Sequence, residues 1–391
     1  MKKYSVNVHI FLSDLTNESR LIKETKFTLS NGIFDSVEVI GLWNSELQVN
    51  ETNKFGLKIS RVQTSVRILL ARGKLKNRSW LRKILAIVGL LQYAKFCFFK
   101  LRGINRESIS HISVHNLSLL PLAYLLSAVF KAKLVYLPHE LETQRTGLKG
   151  FSKLLSKLIE VIFIRTASGV VVVCDPIKSW YQNRYSLENV YVIRNVPEAA
   201  PLNDYFELKV NLKQKFMKNH QNILYIYQGL IEESRGAGFL VEQFRRSTCD
   251  LVFMGYGSYC EEIINLNLEN IHYQPAVPVD DIVDVTRSAD VGLFVIKGEL
   301  SLSYRWCLPN KFFEYLHAGL PVVVSDNLEY LSTIVRENNL GWVVEADNLL
   351  DLIRTIDNDE IEKIKKNVEQ YASNAYWERD AVAYHKVYSD N

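Results

Sequence analysis

Short β-branched runs alternate with amphipathic helical segments along this chain of 391 residues, and the alternation occurs twice. The first series runs from a strand predicted at residues 5–12 to one at 190–193, and the second starts with a strand at 223–227. Strands that alternate with helices build parallel sheets with helices on both faces. The sequence therefore predicts two α/β domains, each a doubly wound, Rossmann-like sheet.

A break between the two series sets the domain boundary. Arg194-Asn195-Val196-Pro197 leads into a polar stretch, and the chain exceeds the usual size of one hydrophobic core. We expect an N-terminal domain over residues 1–196 and a C-terminal domain over residues 197–374.

Composition excludes several classes of protein. The five cysteines are scattered without C-x-x-C spacing, which argues against a disulfide framework or a zinc site and suits a reducing cytosol. The apolar run at 6–12 is short and contains His9, so it indicates a strand and not a signal peptide. The longest apolar runs, 84–91 and 117–130, fall short of the roughly 18–20 residues that span a bilayer, so no transmembrane helix is expected.

Charge is distributed unevenly along the chain. Residues 1–200 carry 29 Lys and Arg against 14 Asp and Glu, whereas the remainder carries 18 against 29. Residues 52–106 hold 14 basic residues and no acidic one. Such an excess of positive charge attracts polyanions, which include anionic membranes, phosphorylated lipids and nucleic acids.

The first motif is YQGLIEESRG at residues 227–236, directly after a predicted strand. Ligands of open parallel sheets bind at the carboxyl ends of strands, where a glycine lets backbone approach a phosphate. Gly229 would supply that turn, and the guanidinium of Arg235 could grip a diphosphate. A solvated arginine at an ordinary turn is the alternative.

Two weaker signals lie downstream. LVFMGYG at residues 251–257 ends another strand and places Gly255 at its end, although an ordinary turn fits as well. Gln274 and Val277 follow the next strand, where a base could lie against backbone.

The strongest motif is LPNKFFEYLHAGLPVVVSD at residues 308–326. Pro309 and Asn310 precede a helix predicted to begin near Lys311, and its free N–H groups suit a phosphate. Glu314, one turn later, could accept both hydroxyls of a ribose. Alternatively, Lys311 and Glu314 form a surface pair at i, i+3 spacing, which stabilises a helix by about 0.2–0.5 kcal/mol.

On these motifs the chain resembles the retaining GT-B glycosyltransferases of glycosyltransferase family 4, most strongly over residues 223–344. The resemblance implies two domains facing a central cleft, with a final helix at 375–391 that packs back onto the N-terminal domain. It assigns Glu314 to the donor ribose, Arg235 to the donor diphosphate and Gly229 to the same loop. It implies no cofactor and no metal, since the nucleotide-sugar is a substrate.

The chain departs from the family pattern at two positions. Leu230 stands where an arginine is common, and Trp306 stands where a second glutamate usually contacts sugar hydroxyls. The sugar pocket is therefore expected to be atypical or built differently, and its candidate lining residues are Tyr304, Arg305, Asn310 and Lys311.

In the N-terminal half, His139 and Glu140 follow the strand predicted at 133–137. A locally satisfied pair is one interpretation. Similar pairs in the family border the reacting sugar, which implies that His139 contacts the sugar or leaving phosphate and that Glu140 orients it. The segment 13–20 resembles the family's acceptor-side loop, and its candidate residues are Asp14, Asn17 and Arg20.

Two basic, apolar segments, 52–106 and 149–165, suit an anionic membrane surface, although a core helix with one solvated face is the alternative. A D-x-D sequence at residues 357–359 lies in an acidic run and is expected to start a helix, not to bind metal. A nucleic-acid module fits the charge but not the donor motifs.

The expected function is transfer of a sugar from a nucleotide-diphosphate sugar to a glycan or polyprenyl-phosphate-linked acceptor in cell-surface polysaccharide synthesis. The protein would be cytoplasmic and peripheral on the inner face of the plasma membrane. A nucleotide-sugar epimerase and a non-catalytic partner subunit remain alternatives.

Overall fold

The structure is a computed structural model that describes residues 4–16, 18–71, 79–199 and 210–389, without the side chains at 70, 71 and 79–83. The chain forms two compact units. Unit 1 comprises Met1–Ile193 together with Ala381–Asn391, and unit 2 comprises Arg194–Asp380. The division falls three residues before the expected 196/197 boundary, and the return to unit 1 begins at Ala381, six residues after the expected position.

Unit 1 is built on an eight-stranded sheet in the order β3-β4-β2-β1-β5-β6-β7-β8. All neighbouring strands are parallel except the edge strand β3, which runs antiparallel to β4. The strands are β1 Val6–Ile10, β2 Ser36–Leu42, β3 Asn50–Thr52, β4 Lys58–Val62, β5 Ile109–Val114, β6 Lys133–Tyr136, β7 Gly169–Val172 and β8 Val190–Val192.

Unit 2 carries a six-stranded, fully parallel sheet in the order β11-β10-β9-β12-β13-β14. Its strands are β9 Leu224–Leu230, β10 Asp250–Tyr256, β11 Ile271–Pro275, β12 Val291–Phe294, β13 Val322–Ser325 and β14 Gly341–Val344.

Helices join the strands, as parallel neighbours require. In unit 1 these are α1 Ser19–Ser30, α2 Ser65–Ala71, α3 Ser79–Arg102, α4 Leu120–Phe130, α5 Gly150–Phe163 and α6 Asp175–Tyr185. The later helices are α7 Leu212–Phe216, α8 Ala237–Arg245, α9 Cys260–Leu266, α10 Ile282–Thr286, α11 Leu302–Arg305, α12 Asn310–His317, α13 Glu329–Asn338, α14 Leu349–Thr355, α15 Asn358–Ala372, α16 Trp377–Ala381 and α17 Tyr384–Val387. Short 3-10 turns occupy Arg106–Ser108, Leu117–Leu119, Glu142–Gln144, Ile164–Thr166, Glu233–Arg235, Val279–Asp281 and Ala346–Asn348.

The central strands are buried on both faces because helices cover both sides of each sheet. Strand β7 is buried along its whole length, and β13 is buried in the same way. Helix boundaries follow local chemistry: Asp357 caps α15 by accepting a 2.8 Å hydrogen bond from the backbone N–H of Glu360. The D-x-D sequence is thus a helix start, as expected.

In each sheet there is one place where successive strands stop being added on one side of the first strand and continue on its other side. In unit 1 the strand order reverses between β1 and β5, and in unit 2 it reverses between β9 and β12. At such a switch point the loops leaving two neighbouring strands run to opposite faces and open a crevice beyond their carboxyl ends. These two crevices are where each unit can bind a ligand.

Helix α3 contains a longer apolar segment than the run at 84–91 that the sequence indicated. The segment Ile84–Arg102 within it is, by length and composition, able to cross a membrane, the one such helix among the described residues. However, one face of it belongs to the core of unit 1, where Tyr93, Cys97 and Leu101 are fully buried. The Tyr93 hydroxyl donates a 2.5 Å hydrogen bond to the carbonyl of Ile40. We therefore interpret α3 as a surface helix of unit 1.

The end of the chain completes the core of unit 1. The hydroxyls of Tyr384 and Tyr388 donate hydrogen bonds of 3.1 and 2.5 Å to the two carboxylate oxygens of Glu24, which lies in α1 and is fully buried. Burial raises the pKa of Glu24 from its ordinary value of 4.5 to about 7, against the opposing effects of the Tyr388 hydrogen bond and the Arg20 charge.

This raised pKa predicts a pH-dependent stability. Folded unit 1 binds the Glu24 proton more tightly than the unfolded chain does, so its free energy of unfolding must fall as pH rises from about 4.5 to above 7. Relative to Glu24→Gln, the wild type should lose roughly 1–3 kcal/mol across this window. Hydrogen exchange of the β1 and β5 amides measures it.

Glu188→Gln, on the surface of unit 1, is the matched control. It should leave the pH dependence of the wild type unchanged. A Glu24→Gln variant with the same pH dependence as the wild type would show that Glu24 does not titrate in this range.

Candidate functional site

Backbone alone forms part of the switch-point crevice in unit 2. Gly229 in β9 and Gly255 in β10 are register partners at the carboxyl ends of their strands. A Cβ added to Gly255 would stand 1.9 Å from the carbonyl oxygen of Gly229. Gly229 itself has φ +103°, a conformation that side chains disfavour. No side chain separates a ligand from backbone here.

The start of α12 lies against this glycine. A Cβ built on Gly229 would be 3.9 Å from Cε of Lys311, in the first turn of the helix. The Lys311 ammonium lies 3.9 Å from the ring centroid of Tyr227 and 4.9 Å from that of Phe294. Burial, helped by the nearby charge of Arg235, lowers the pKa of Lys311 to about 7. The helix start and this lysine together favour an anion.

Arg235 is brought to the same place. Its Nη1 donates a 2.7 Å hydrogen bond to the hydroxyl of Tyr304, and its guanidinium carbon lies 5.5 Å from the centroid of that ring. Because its charge lowers the pKa of Lys311, the two cations share one region of the crevice. The Glu314 carboxylate acts on Lys311 in the opposite sense to Arg235. Two basic side chains in one region favour a ligand with more than one negative charge.

Glu314 is held in position by a residue that the sequence motifs did not single out. The side-chain Nε2 of Gln228 donates a 2.5 Å hydrogen bond to Glu314 Oε2, and its Oε1 accepts a 2.8 Å bond from the Thr286 hydroxyl. Gln228 directly precedes Gly229, so the YQG triplet supplies both the backbone approach and the orienting amide. Its partners lie 58 and 86 residues away, and no local signal could reveal them.

The other donor-side predictions fall around this group. Gln274 lies one strand further out and accepts a 2.7 Å hydrogen bond from Lys215, while Val277 is half-buried in the segment after β11. Pro309 occupies the N-cap of α12, and Asn310 accepts a 2.9 Å hydrogen bond from Asn195. The structure therefore brings Gly229, Gly255, Arg235, Lys311 and Glu314 to the crevice and its neighbouring strand end, and places Gln274 and Val277 at its margin.

The segment around Trp306 differs from the family pattern. Trp306 is the C-cap of the short helix α11. Arg305, just before it, donates to the carboxylate of Glu329 in α13, and Tyr304 bonds Arg235. Of the candidate linings in this segment, Tyr304 is the one that reaches the cationic pair.

In unit 1, the predicted residue His139 ends a chain of three imidazoles at the switch point between β1 and β5. His9 Nδ1 lies 2.9 Å from His115 Nε2, and His115 Nδ1 lies 3.1 Å from His139 Nε2. His9 and His115 are buried and His139 is partly exposed. Burial lowers the pKa of His9 and of His139 to about 3 and lowers that of His115 as well, so all three are neutral at physiological pH.

Glu140, the residue after His139, has a charged partner in its own unit. It forms a 2.9 Å ion pair with Arg145 on the surface of unit 1, and the ring nitrogen Nε2 of His139 lies 3.1 Å from Nδ1 of His115. Nothing in the sequence near His139 indicates His9 or His115, because His9 lies in β1 and His115 directly follows β5.

The loop after β1 contains the predicted acceptor-side residues. Asp14 accepts hydrogen bonds from the Thr16 hydroxyl at 2.8 Å and from the Asn44 amide at 2.9 Å. Although burial alone would raise the pKa of Asp14, these bonds and the charge of Arg67 hold it below its ordinary value. Asn17 lies outside the described residues.

Arg20, in the first turn of α1, is 3% exposed, and its three guanidinium nitrogens have no hydrogen-bond partner among the described residues. Its charge acts on both His139 and Glu24. A buried guanidinium is costly unless an anion meets it. No group of three metal-ligating side chains is found within the described part of the chain.

Comparison with known proteins places these features in context. Residues 239–376, within unit 2, match the family model of the Glucosyltransferase 3-like, C-terminal domain. Among the curated proteins, none matches this chain.

Solved structures match over nearly the whole chain. A sucrose-phosphate synthase from Thermosynechococcus elongatus has a TM-score of 0.72 at 14% identity, covering 98% of each chain. HepE from Anabaena, in complex with UDP, has a TM-score of 0.68 at 14% identity, covering 98% of each chain. A glycosyltransferase from Rickettsia africae has a TM-score of 0.67 at 14% identity over the full length of both chains. Likeness at such identity shows the fold, and the predicted GT-B fold is confirmed.

The contact between the two strand-end glycines predicts an asymmetry between two alanine substitutions. Gly255→Ala places a Cβ against the Gly229 carbonyl at φ +154°, whereas Gly319→Ala adds a Cβ at φ +81° with nothing within 4 Å. The second should cost about 1–2 kcal/mol of unfolding free energy for its backbone conformation alone. The first should cost more.

Hydrogen exchange of the β9 and β10 amides in both variants measures the difference. Equal losses would mean that the close approach of the two backbones carries no energy of its own.

Proposed function

We propose that this protein is a glycosyltransferase whose donor is a nucleotide-diphosphate sugar bound by unit 2. The observation that carries the proposal is the convergence of Lys311, Arg235 and the start of α12 on the crevice at Gly229, with Glu314 held by Gln228. A diphosphate requires two or more positive contacts, and a ribose requires a carboxylate that accepts two hydroxyls. This arrangement offers both within one crevice.

UDP is the donor nucleotide that we propose. HepE is found in complex with UDP, with UDP and glucose, and with UDP-glucose. The protein from E. coli with a TM-score of 0.68 is bound with UDP-2-fluoro glucose. The family model that matches unit 2 is also named for a glucosyltransferase. These likenesses support a UDP-sugar, and a hexose such as glucose is the proposed sugar.

The proposed mechanism is electrostatic. As the bond from the sugar to the diphosphate breaks, negative charge grows on the leaving oxygen. Arg235 and Lys311 stabilise that charge, and the diphosphate restores the Lys311 proton that burial disfavours. Because Arg235 is steadied by Tyr304, it is already oriented before the charge develops. Retention of the anomeric configuration is part of this proposal.

In unit 1, His139 is proposed to bond a sugar hydroxyl or phosphate oxygen, as a neutral group. Arg20 is proposed to meet an anionic group of the acceptor, because its guanidinium nitrogens have no hydrogen-bond partner among the described residues.

The acceptor that we propose is a glycan on a polyprenyl phosphate at the inner face of the plasma membrane, in cell-surface polysaccharide synthesis. Helix α5 supports membrane contact: its apolar side chains at 151, 154, 155, 158, 161 and 162 follow helical spacing yet are exposed. Phe151 is 77% exposed and Leu154 is 65% exposed. Lys153 and Lys157 lie in the same helix, and Lys149 is its N-cap.

Neighbouring helices continue this surface. Tyr124 of α4 packs against Phe163 of α5, with ring centroids 5.6 Å apart, and Leu125 beside it is 59% exposed. Helix α3 adds exposed apolar side chains at 84, 87, 88, 90, 91 and 99, together with the exposed Lys95. An apolar face mixed with lysines suits the interface of an anionic bilayer. The side chains of Arg82 and Lys83, also expected here, are not described.

Donor binding gives the first test of the proposal. UDP should raise the melting temperature more than GDP, ADP or dTDP, and Glu314→Ala should weaken UDP binding by about 10–100-fold because charged hydrogen bonds to the ribose are lost. Calorimetry with the full chain measures the dissociation constants.

Glu337→Ala, on the exposed end of α13, is the control and should bind UDP as the wild type does. If Glu314→Ala also bound UDP with unchanged affinity, the site assignment would be wrong. A stronger response to another nucleotide would refute UDP and leave the crevice as the donor site.

Membrane contact is tested with vesicles of phosphatidylcholine and phosphatidylglycerol. The wild type should sediment with them in a salt-sensitive way, and the triple variant Phe151→Ser, Leu154→Ser, Leu158→Ser should bind at least about tenfold more weakly, since each change removes apolar burial.

The control carries Ile264→Ser and Val279→Ser, which alter exposed apolar side chains of unit 2. It should bind vesicles normally. Undiminished binding by the triple variant would remove α5 from the proposed membrane surface.

A further inference from the structure

The three histidines of unit 1 form one hydrogen-bonded chain whose far end is an amide. Asn7 Nδ2 lies 3.0 Å from His9 Nε2, and the Ser113 hydroxyl donates a 3.0 Å hydrogen bond to Asn7 Oδ1. From Asn7 the chain continues through His9 and His115 to His139. Phe11 packs against His115 and His139, with ring centroids 4.5 and 5.3 Å away, and shields the chain from water.

A neutral imidazole has one N–H and one acceptor nitrogen, so a chain of neutral imidazoles has a direction. The amide N–H of Asn7 points at His9 Nε2, which must therefore accept. His9 then carries its proton on Nδ1 and donates it to His115 Nε2. By the same step His115 carries its proton on Nδ1 and donates it to His139 Nε2.

We infer that Asn7, His9 and His115 are positioning residues that fix His139 as the Nδ1–H tautomer. Within the described part of the chain, Nδ1 of His139 has no hydrogen-bond partner, and His139 is the member of the three that reaches the surface. Unit 1 thus presents a neutral N–H donor, and not a base, at its switch point. The ligand that such a group fits is a hydroxyl or phosphate oxygen.

The nearby carboxylate of Glu24 does not replace the Asn7 amide as the hydrogen-bond partner of His9 Nε2. Glu24 Oε1 is 3.9 Å from His9 Nε2, beyond hydrogen-bond distance, and its two oxygens accept hydrogen bonds from the hydroxyls of Tyr384 and Tyr388. Turning the Asn7 amide over would reverse every bond in the chain and leave His139 Nδ1 as an acceptor. The direction therefore depends on the orientation of one buried amide in β1. The Ser113 hydroxyl that donates to Asn7 Oδ1 sets this orientation, and it also lies 3.2 Å from the Tyr388 hydroxyl.

The tautomers can be read directly by nitrogen NMR of the full chain with labelled histidine, at a pH where imidazoles are neutral. All three residues should show a protonated Nδ1 and an unprotonated Nε2. Asn7→Asp can only accept, so it should move the proton to Nε2 in all three. His115→Phe interrupts the chain and should leave His139 as a mixture of both tautomers.

His220, exposed in unit 2, is the internal control and should not change in any variant. A wild-type His139 protonated on Nε2 would overturn the inference, and so would a pure Nδ1–H tautomer in folded His115→Phe. If Asn7→Asp does not fold, His115→Phe decides the matter alone.

The use of this N–H in sugar transfer rests on the proposed function. In a transferase assay, His115→Phe should lower kcat by about tenfold, the effect of one lost hydrogen bond, with the UDP dissociation constant unchanged. The NMR result does not depend on any activity. Failure of the donor assay would refute the proposed function and leave the tautomer assignment standing.

Discussion

Parallel strands covered by helices on both faces can meet a ligand only where they end. This constraint governs both units, because their central strands are buried and the chain reverses its direction across each sheet at one place. All polar groups that matter for binding must reach those two places, from strand ends, from loops or from the first turn of a helix. The result is that residues far apart in the sequence, such as Gln228 and Glu314, become direct partners.

Net charge and local charge differ in this molecule. The C-terminal half of the chain is acidic overall, yet Lys311 and Arg235 make its crevice positive. The N-terminal half is strongly basic, yet three of the imidazoles at its own crevice are kept neutral by burial. Burial and the arrangement of neighbours, more than composition, decide the field that a ligand meets.

The fold could be predicted from the sequence because β-branched runs and helical spacing are local signals. The edge pair β3 and β4 was not predicted, since Lys58–Val62 carries basic residues and reads as polar. It forms because Arg61 is buried and satisfied, with hydrogen bonds to the carbonyls of Asp14 and Gln48 and to Glu51. For the sites, glycines and helix starts could be located, whereas Gln228, His9 and His115 act through partners on distant elements of the fold. Such partnerships exist only after the sheet has assembled.

The last turns of the chain have a consequence for its synthesis. Tyr384 and Tyr388 hold the carboxylate of Glu24 inside the first unit, so that unit lacks two of its core side chains until residue 388 has been synthesised. Unit 2 consists of the continuous residues 194–380, so its core does not depend on a later segment and it can fold first. Domains of a nascent chain usually fold in order from the N-terminus. In this protein, unit 1 emerges first but cannot complete its core before unit 2 has been synthesised. The first half to emerge is the last to be finished.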